Sequence, residues 1–504
     1  MKWIIPAALL ASLSIVGCQQ TGQQTGAQSP SSQYDKLASM PYVESYLQKD
    51  DTTALKTELV FQRAVQAYIW ATPALNMLAM KEGKDKTFGP GYNVLPIFKE
   101  RLNAKTQITT PNSDVIYALG FLDLKEDGPT VMDAPPGLQG IIDDFWQRPI
   151  RSEGMIGGRQ WAGDVGLPGP DQGKGGKYLI LPPDYTGPIP KGYLTFRSRT
   201  YGVMVLLRGF FKDPKQLSEP VKVMEQTRFY PLGKEGTAKA MQYPDASTTP
   251  ADMIYPMDGT AFDMLSRFVD HEYVDTTDME MRGTLAGFGI VKGQPFAPDA
   301  ATRALLDKAA RTASRMGHAI GYEGTAMIPG FRYYADRKWI NPFPGNADFT
   351  ADTFNNIDAR TGFFTYAFSA SPGMAIKMEN IGAKYPAAYV DSDGNFLRGE
   401  QSYVLHLPPD IPAAIFWSVT LYDPVTASEI DNGQAFPSIN TMDRPITNAD
   451  GSTDIYFGPR SPGEGKNYIA TVPGKGWFTL LRLYGPKKGF FDQTWKPDDI
   501  KKVQ

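Results

Sequence analysis

A polar cluster directly ahead of an unbroken apolar run is where this sequence could do chemistry. Residues 109–124 read TTPNSDVIYALGFLDL, with Asn112, Ser113 and Asp114 immediately before Val115. A carboxylate at the mouth of a buried strand can act as a general base, and Asn112 and Tyr117 can hold a substrate by hydrogen bonds. The other use for Asn112 and Asp114 is to cap the turn into the strand. Arg197, Arg208 and Arg482 interrupt segments of strand composition. An arginine on the covered side of a strand needs a carboxylate or a bound anion, so these three are candidate anion-binding residues. Trp417 and Tyr422 flank the strand expected at 415–421 and serve either the core or a pocket wall.

These residues need a rigid frame. In the run after Asp114, Val115, Tyr117, Leu119 and Phe121 fall on one face at period two, and Ile116, Ala118, Gly120 and Leu122 on the other. A strand apolar on both faces is covered on both sides and lies deep in a sheet. Strand composition recurs between 130 and 211 and again between 402 and 484. A helix is expected over 53–80, capped at Asp51 or Thr52, with Pro73 kinking or ending it. A second is expected over 299–316, capped by Asp299 and followed by Gly317 and His318. Residues 154–176 hold nine glycines in 23 positions and read as a long mobile surface loop, a candidate lid.

Several motifs fall short of the chemistry they suggest. GPDQGKGG, at 169–176, is one residue too short for a phosphate loop, and Gly175 stands where a hydroxyl would meet magnesium. HEYVD, at 271–275, begins like a zinc helix but has Asp275 in place of the second histidine. DSDGN, at 391–395, lacks the glycine of a calcium loop and reads as a turn. No G-x-S-x-G elbow occurs, which disfavours an α/β-hydrolase. With three histidines in all, no metal site is expected, and nothing points to a particular cofactor.

The whole chain sets the class. At 504 residues it is too long for one ordinary core. Hydrophobic residues at 42% and charged residues at 21% describe a folded chain, and 49 glycines with 41 prolines favour β-rich domains with long loops. A net charge of -3 gives no reason to expect nucleic acid as a partner. The expected fold is α+β and β-rich, with two antiparallel sandwich or jelly-roll-like domains, an N-terminal helix and a helical segment between them. The expected boundaries are 36–235, 236–345 and 346–504, after a leader at 1–18 and a linker at 19–35.

The single cysteine, Cys18, ends a leader reading MKWIIPAALLASLSIVGC. Lys2 and the short apolar stretch behind it have signal-peptide form. Small residues ahead of a lone cysteine resemble the bacterial lipoprotein signal, which implies a lipid on Cys18 and a membrane as partner. Gln19 after the cysteine implies the outer membrane, facing the periplasm. Residues 19–33 are polar and low in complexity, as in a flexible tether. The oligomeric state is open.

TPNSDVIYALGFLDL with GPTVMDAPP resembles the N-terminal member of a pair of bacterial families of unknown function, the twelve-fifty-four type. FWSVTLYD, NADGSTDIYFGP and WFTLLRLYGP resemble its C-terminal companion, the twelve-fourteen type. Tyr468 stands where such proteins often carry tryptophan. The resemblance implies two β-rich domains and no settled activity. The residues themselves suggest a hydrolase or lyase acting on a small organic molecule or saccharide between the domains. The alternative is a non-catalytic ligand-binding or structural envelope lipoprotein.

Overall fold

The protein, described by a computed structural model, is seen over residues 32–324 and 328–503. The leader, Cys18 and most of the expected linker lie outside the described residues. The chain divides between Leu59 and Val60 into a short N-terminal unit and a main body. The described part of the first unit contains a helix, Ser32–Ala38, and a tight pairing of Tyr42–Val43 with Tyr46–Leu47.

The main body is α+β and β-rich, and two sandwiches form it. In the first, β1 (Ile116–Asp123), β2 (Gln139–Asp144), β3 (Asp164–Val165) and β4 (Gly202–Gly209) make an antiparallel sheet in the order β1-β4-β2-β3. A five-stranded sheet packs on it, and Ile116, Ala118, Val203, Val205 and Leu207 fill the space between with Tyr178, Phe196 and Phe229. In the second, β5 (Ala383–Lys384), β6 (Ala413–Tyr422), β7 (Ser438–Asn440) and β8 (Phe478–Pro486) run in the order β5-β8-β6-β7. Its far sheet has four strands, and Val419, Leu421, Leu481 and Leu483 meet Tyr403, Leu405 and Phe457 across the core. Each far sheet contains one parallel pair within an otherwise antiparallel pattern.

The free edge of β1 is covered by the segment ahead of it: the amides of Phe98 and Leu119 bond across to the carbonyls of Tyr117 and Pro96. This closes an edge that would otherwise expose unpaired backbone. The second face of β1, with Val115, Tyr117, Leu119 and Phe121, packs on helix α1 (Lys49–Phe88) and on α2 (Thr260–His271).

Two helices differ from their sequence reading. Helix α1 passes through Pro73 instead of stopping there, because residues 71–77 are buried and the Gln147 amide donates to the Pro73 carbonyl at 2.8 Å. Packing outweighs the local cost of proline. Helix α3 (Ala300–Glu323) continues through Gly317. Here glycine is a packing residue: a Cβ on Gly317 would come within 2.6 Å of Thr365 Oγ1, and one on Gly321 within 2.1 Å of Tyr366 Cε2. The two glycines let helix α4 (Ile357–Tyr366) lie close against α3. Helix α4 and the aromatic groups around it cover the outer face of β6 and β8.

The glycine-rich stretch 154–176 is held against the first sandwich. Asp171 accepts from the amides of Gly166 and Gly175 and from Tyr178 Oη at 2.6 Å, and β3 pairs with β2. Gly166 has a φ of +85°, and a Cβ there would meet the Leu138 carbonyl oxygen at 2.1 Å, so only glycine lets β3 approach this closely. Among the described residues no helix is long and apolar enough to cross a membrane.

Candidate functional site

Strand alternation aims the site. On β4, Val205 and Leu207 point into the sandwich, so Leu206 and Arg208 point out of it. On β8, Leu481 and Leu483 point in, so Leu480, Arg482 and Tyr484 point out. The two outward faces meet, with α4, at a cavity of about 890 Å³. Tyr117 belongs to the same wall because it is the cross-strand partner of Arg208.

The cavity has a polar end and an apolar body. Phe331, Ile340, Phe363, Tyr366, Tyr389 and Phe478 line the body. The rings of Tyr389 and Phe478 stack at 4.5 Å between centroids, and those of Phe416 and Tyr484 at 4.2 Å, so the wall is preformed. Arg208, Arg482, Tyr117, Tyr385 and Tyr484 form the polar end.

Neither arginine makes an ion pair among the described residues. Arg482 is 3% exposed and donates to the carbonyls of Pro111 (2.8 Å) and Thr110 (3.3 Å) and to Thr420 Oγ1 (3.2 Å). Arg208 has a buried Nε without a hydrogen-bond partner, and its guanidinium carbon lies 5.9 Å from the centre of the Tyr117 ring. Burial works against the charge on Arg208, but the phenols of Tyr117, Tyr385 and Tyr484 outweigh it and hold its pKa above the ordinary value. Arg482 is raised in the same way, against burial, by Tyr422, Tyr484 and Tyr117. Burial, followed by the neighbouring phenols, raises Tyr484 well above its ordinary range. At neutral pH the polar end therefore holds two cations beside the neutral phenols of Tyr385 and Tyr484.

The phenols form a directed chain. Asn112 Nδ2 donates to Tyr484 Oη at 2.7 Å, and Tyr484 donates on to Tyr385. The Tyr385 hydroxyl, on the cavity wall, can donate to a ligand there. Together with the unpaired Arg208, this arrangement can bind an anion or steady an oxyanion as it forms.

A second cavity of about 590 Å³ adjoins the first, and Arg208, Met374, Tyr385 and Tyr484 line both. The second cavity is the more polar in its lining side chains, with Gln139, Asp164, Ser371 and Asn380. Asp164 is 6% exposed and accepts from the Gly373 amide at 3.0 Å. Burial pushes its carboxyl up to about 6, against the pull of Ser371, Gly373 and Arg208.

The residues singled out in the sequence divide between this site and its supports. Arg208, Arg482 and Tyr117 line the cavity. Asn112 stands behind it, on Tyr484. Asp114 is 1% exposed, outside the cavity wall, and pairs with Arg101 Nη2 at 3.1 Å. It also accepts from Asn440 Nδ2 at 2.7 Å and lies 3.3 Å from Ser438 Oγ, so it joins the first sandwich to the second. Arg197 is held away from the cavity by Glu153, at 2.7 and 2.8 Å, and by the carbonyls of Pro182 and Tyr185. Trp417 packs in the core of the second sandwich.

Sequence reading missed Asp164, Tyr385, Tyr484 and Glu429. Tyr484 was within reach, since it lies two residues beyond Arg482 and shares its face. Glu429 is 2% exposed, and neither carboxylate oxygen has a hydrogen-bond partner among the described residues. Burial, then the charge of Asp114, pushes it up to about 8, while Arg482, Ser113 and Arg101 pull the other way. Among the described residues no three His, Cys, Asp or Glu side chains converge as a metal site would require.

The family comparisons agree with this two-part construction. Residues 92–231 match the family described as protein of unknown function (DUF1254), and residues 382–488 match protein of unknown function (DUF1214). The chain therefore pairs these two families, the first N-terminal and the second C-terminal. Among solved structures, the VPA0106 protein from Vibrio parahaemolyticus aligns over 88% of this chain and 100% of its own, at 18% identity and a TM-score of 0.50, and shares the fold. An uncharacterised protein from Burkholderia cenocepacia aligns over 90% of this chain and 96% of its own, at 12% identity and a TM-score of 0.37. No curated protein matches.

Proposed function

We propose that this protein is a lipid-anchored envelope protein that binds a small organic anion with an apolar body in the cavity between its two sandwiches. One observation carries the ligand: Arg208 and Arg482 reach the same apolar cavity from opposing strands, and no carboxylate of the described chain pairs with either. Two buried guanidinium groups without an ion-pair partner are costly to keep, and a bound anion relieves that cost. The aromatic body of the cavity supplies the rest of the affinity. A neutral saccharide leaves both charges unanswered, so an acidic molecule fits better. The anchor rests on the leader sequence and Cys18.

A second reading, a hydrolase or lyase, is favoured by the phenol chain ending at Tyr385. Beside Arg208 it would steady negative charge as it develops on a substrate oxygen. In both readings Asp114 serves as the clamp that keeps the two arginine-bearing sheets in place.

The test is isothermal titration of 3-phenylpropionate, an apolar carboxylate, into the full-length protein and its Arg208→Met variant. Binding weakened about tenfold or more in the variant supports the reading. Absence of binding to the parent, or equal binding to both, overturns it. A panel of apolar esters screened for hydrolysis would separate the enzyme from the binder.

A further inference from the structure

Three buried ionisable groups near the site form no ion pair among the described residues. Two are the guanidinium groups already described. The third is Asp164, in the adjoining cavity on the other side of Arg208. Its Oδ2 takes the Gly373 amide, and Ser371 supplies a hydroxyl, but no lysine or arginine of the described chain makes an ion pair with it. Arg208 and Arg159 are close enough to lower its pKa without forming an ion pair with it. Both neighbours could be satisfied equally well by an asparagine. The carboxylate is also brought there at some structural expense, between two glycines of positive φ, Gly163 and Gly166, each crowded by the backbone of β2 or its flanks.

Resting on the anion reading, we propose that the ligand is an apolar zwitterion, its carboxylate on Arg208 and Arg482 and its ammonium on Asp164. The class comprises hydrophobic amino acids and short peptides. The layout supports it in three ways. The unpaired positive and negative groups lie on either side of one shared wall, made of Arg208, Met374, Tyr385 and Tyr484. The apolar body lies on the arginine side, where a hydrophobic side chain would rest. The amides of Gln139 and Asn380 line the Asp164 side, where they can bond to a peptide group. The ionised form of Asp164 is the one that holds an ammonium, so the preference weakens as pH falls through about 6.

The test compares three probes by titration calorimetry on the full-length protein: 3-phenylpropionate, L-phenylalanine and L-alanyl-L-phenylalanine. We expect at least one zwitterion to bind about tenfold tighter than 3-phenylpropionate. Which of the two does so separates a free amino acid from a peptide. Asp164→Asn should remove that advantage, bringing the affinity ratio between the zwitterion and 3-phenylpropionate to within about twofold. If 3-phenylpropionate binds as well as both zwitterions, the zwitterion is wrong and the anion site stands. A preference untouched by Asp164→Asn also overturns the assignment. If none of the three binds, both readings fail. The comparison on the parent protein decides the matter even if the variant does not fold.

Discussion

Asn440 Nδ2 donates to Asp114 Oδ1 at 2.7 Å, and this bond ties the start of β1 in the first sandwich to the end of β7 in the second. Around it, Arg101 Nη2 lies 3.1 Å from the same carboxylate, and the Arg101 guanidinium carbon lies 3.8 Å from the centre of the Phe436 ring. Tyr422 Oη adds a 2.6 Å bond to the Pro111 carbonyl. The segment ahead of β1 is thus fastened to the second sandwich by charged, amide and phenol groups together. The cavity depends on this fastening, because its arginines come from opposite sides of the seam.

Removing the clamp should therefore cost stability first. Asp114→Ala leaves Arg101 buried without its partner, a loss of about 3–5 kcal/mol. Chemical denaturation of parent and variant would measure it. A variant as stable as the parent would remove Asp114 from the clamp.

The two cavity arginines should behave differently when replaced. Arg482 bonds to Pro111, Thr110 and Thr420, so Arg482→Met should lower stability by about 2–3 kcal/mol. Arg208 forms no ion pair, leaves its Nε unbonded and has a hydrogen bond to Tyr117, so Arg208→Met should cost less stability than Arg482→Met. Differential scanning calorimetry on both variants without ligand checks the contrast. A large drop for Arg208→Met would mean that its charge has a structural partner.

Gly321→Ala tests how α4 shapes the cavity. The added methyl would land 2.1 Å from Tyr366 Cε2, and Tyr366 lines the cavity. The expected cost is about 1–3 kcal/mol, together with weaker binding of 3-phenylpropionate as Tyr366 is pushed aside. Thermal unfolding and titration of the one variant give both numbers. Unchanged affinity would show that the Tyr366 ring is not part of the binding wall.

Local pattern carried much of this far. The period-two run after Asp114 gave both faces of β1, because each face meets a separate core. Arg208 and Arg482 were legible as anomalies, since an arginine in an apolar strand demands an explanation wherever it points. Features set by distant neighbours were not legible. Gly317 looks like a helix terminator in isolation and becomes a packing contact only once α4 is present. Asp164 was lost inside a glycine-rich stretch that reads as a loop, because the close approach of β3 to β2 that needs those glycines involves residues far apart in the chain. Glu429 carries no local sign of its burial or of its neighbours Ser113, Asp114, Arg101 and Arg482, which are distant in the chain.

Glu429 should leave a pH signature on stability. Its carboxyl titrates near its ordinary value in the unfolded chain and is pushed up to about 8 in the folded protein. Between those values the folded state holds a proton that the unfolded state has released. Stability from this group is therefore complete below the unfolded pKa and declines as pH rises to about 8, by on the order of 5 kcal/mol across the window. Glu429→Gln keeps the shape and removes the titration. The variant should match the parent near pH 5 and exceed it near pH 8.5, with a flatter profile between. Thermal unfolding at closely spaced pH values would show it. Parallel profiles for parent and variant would mean that Glu429 is ionised in the folded protein and already paired, with Arg482 or Arg101 as the partner.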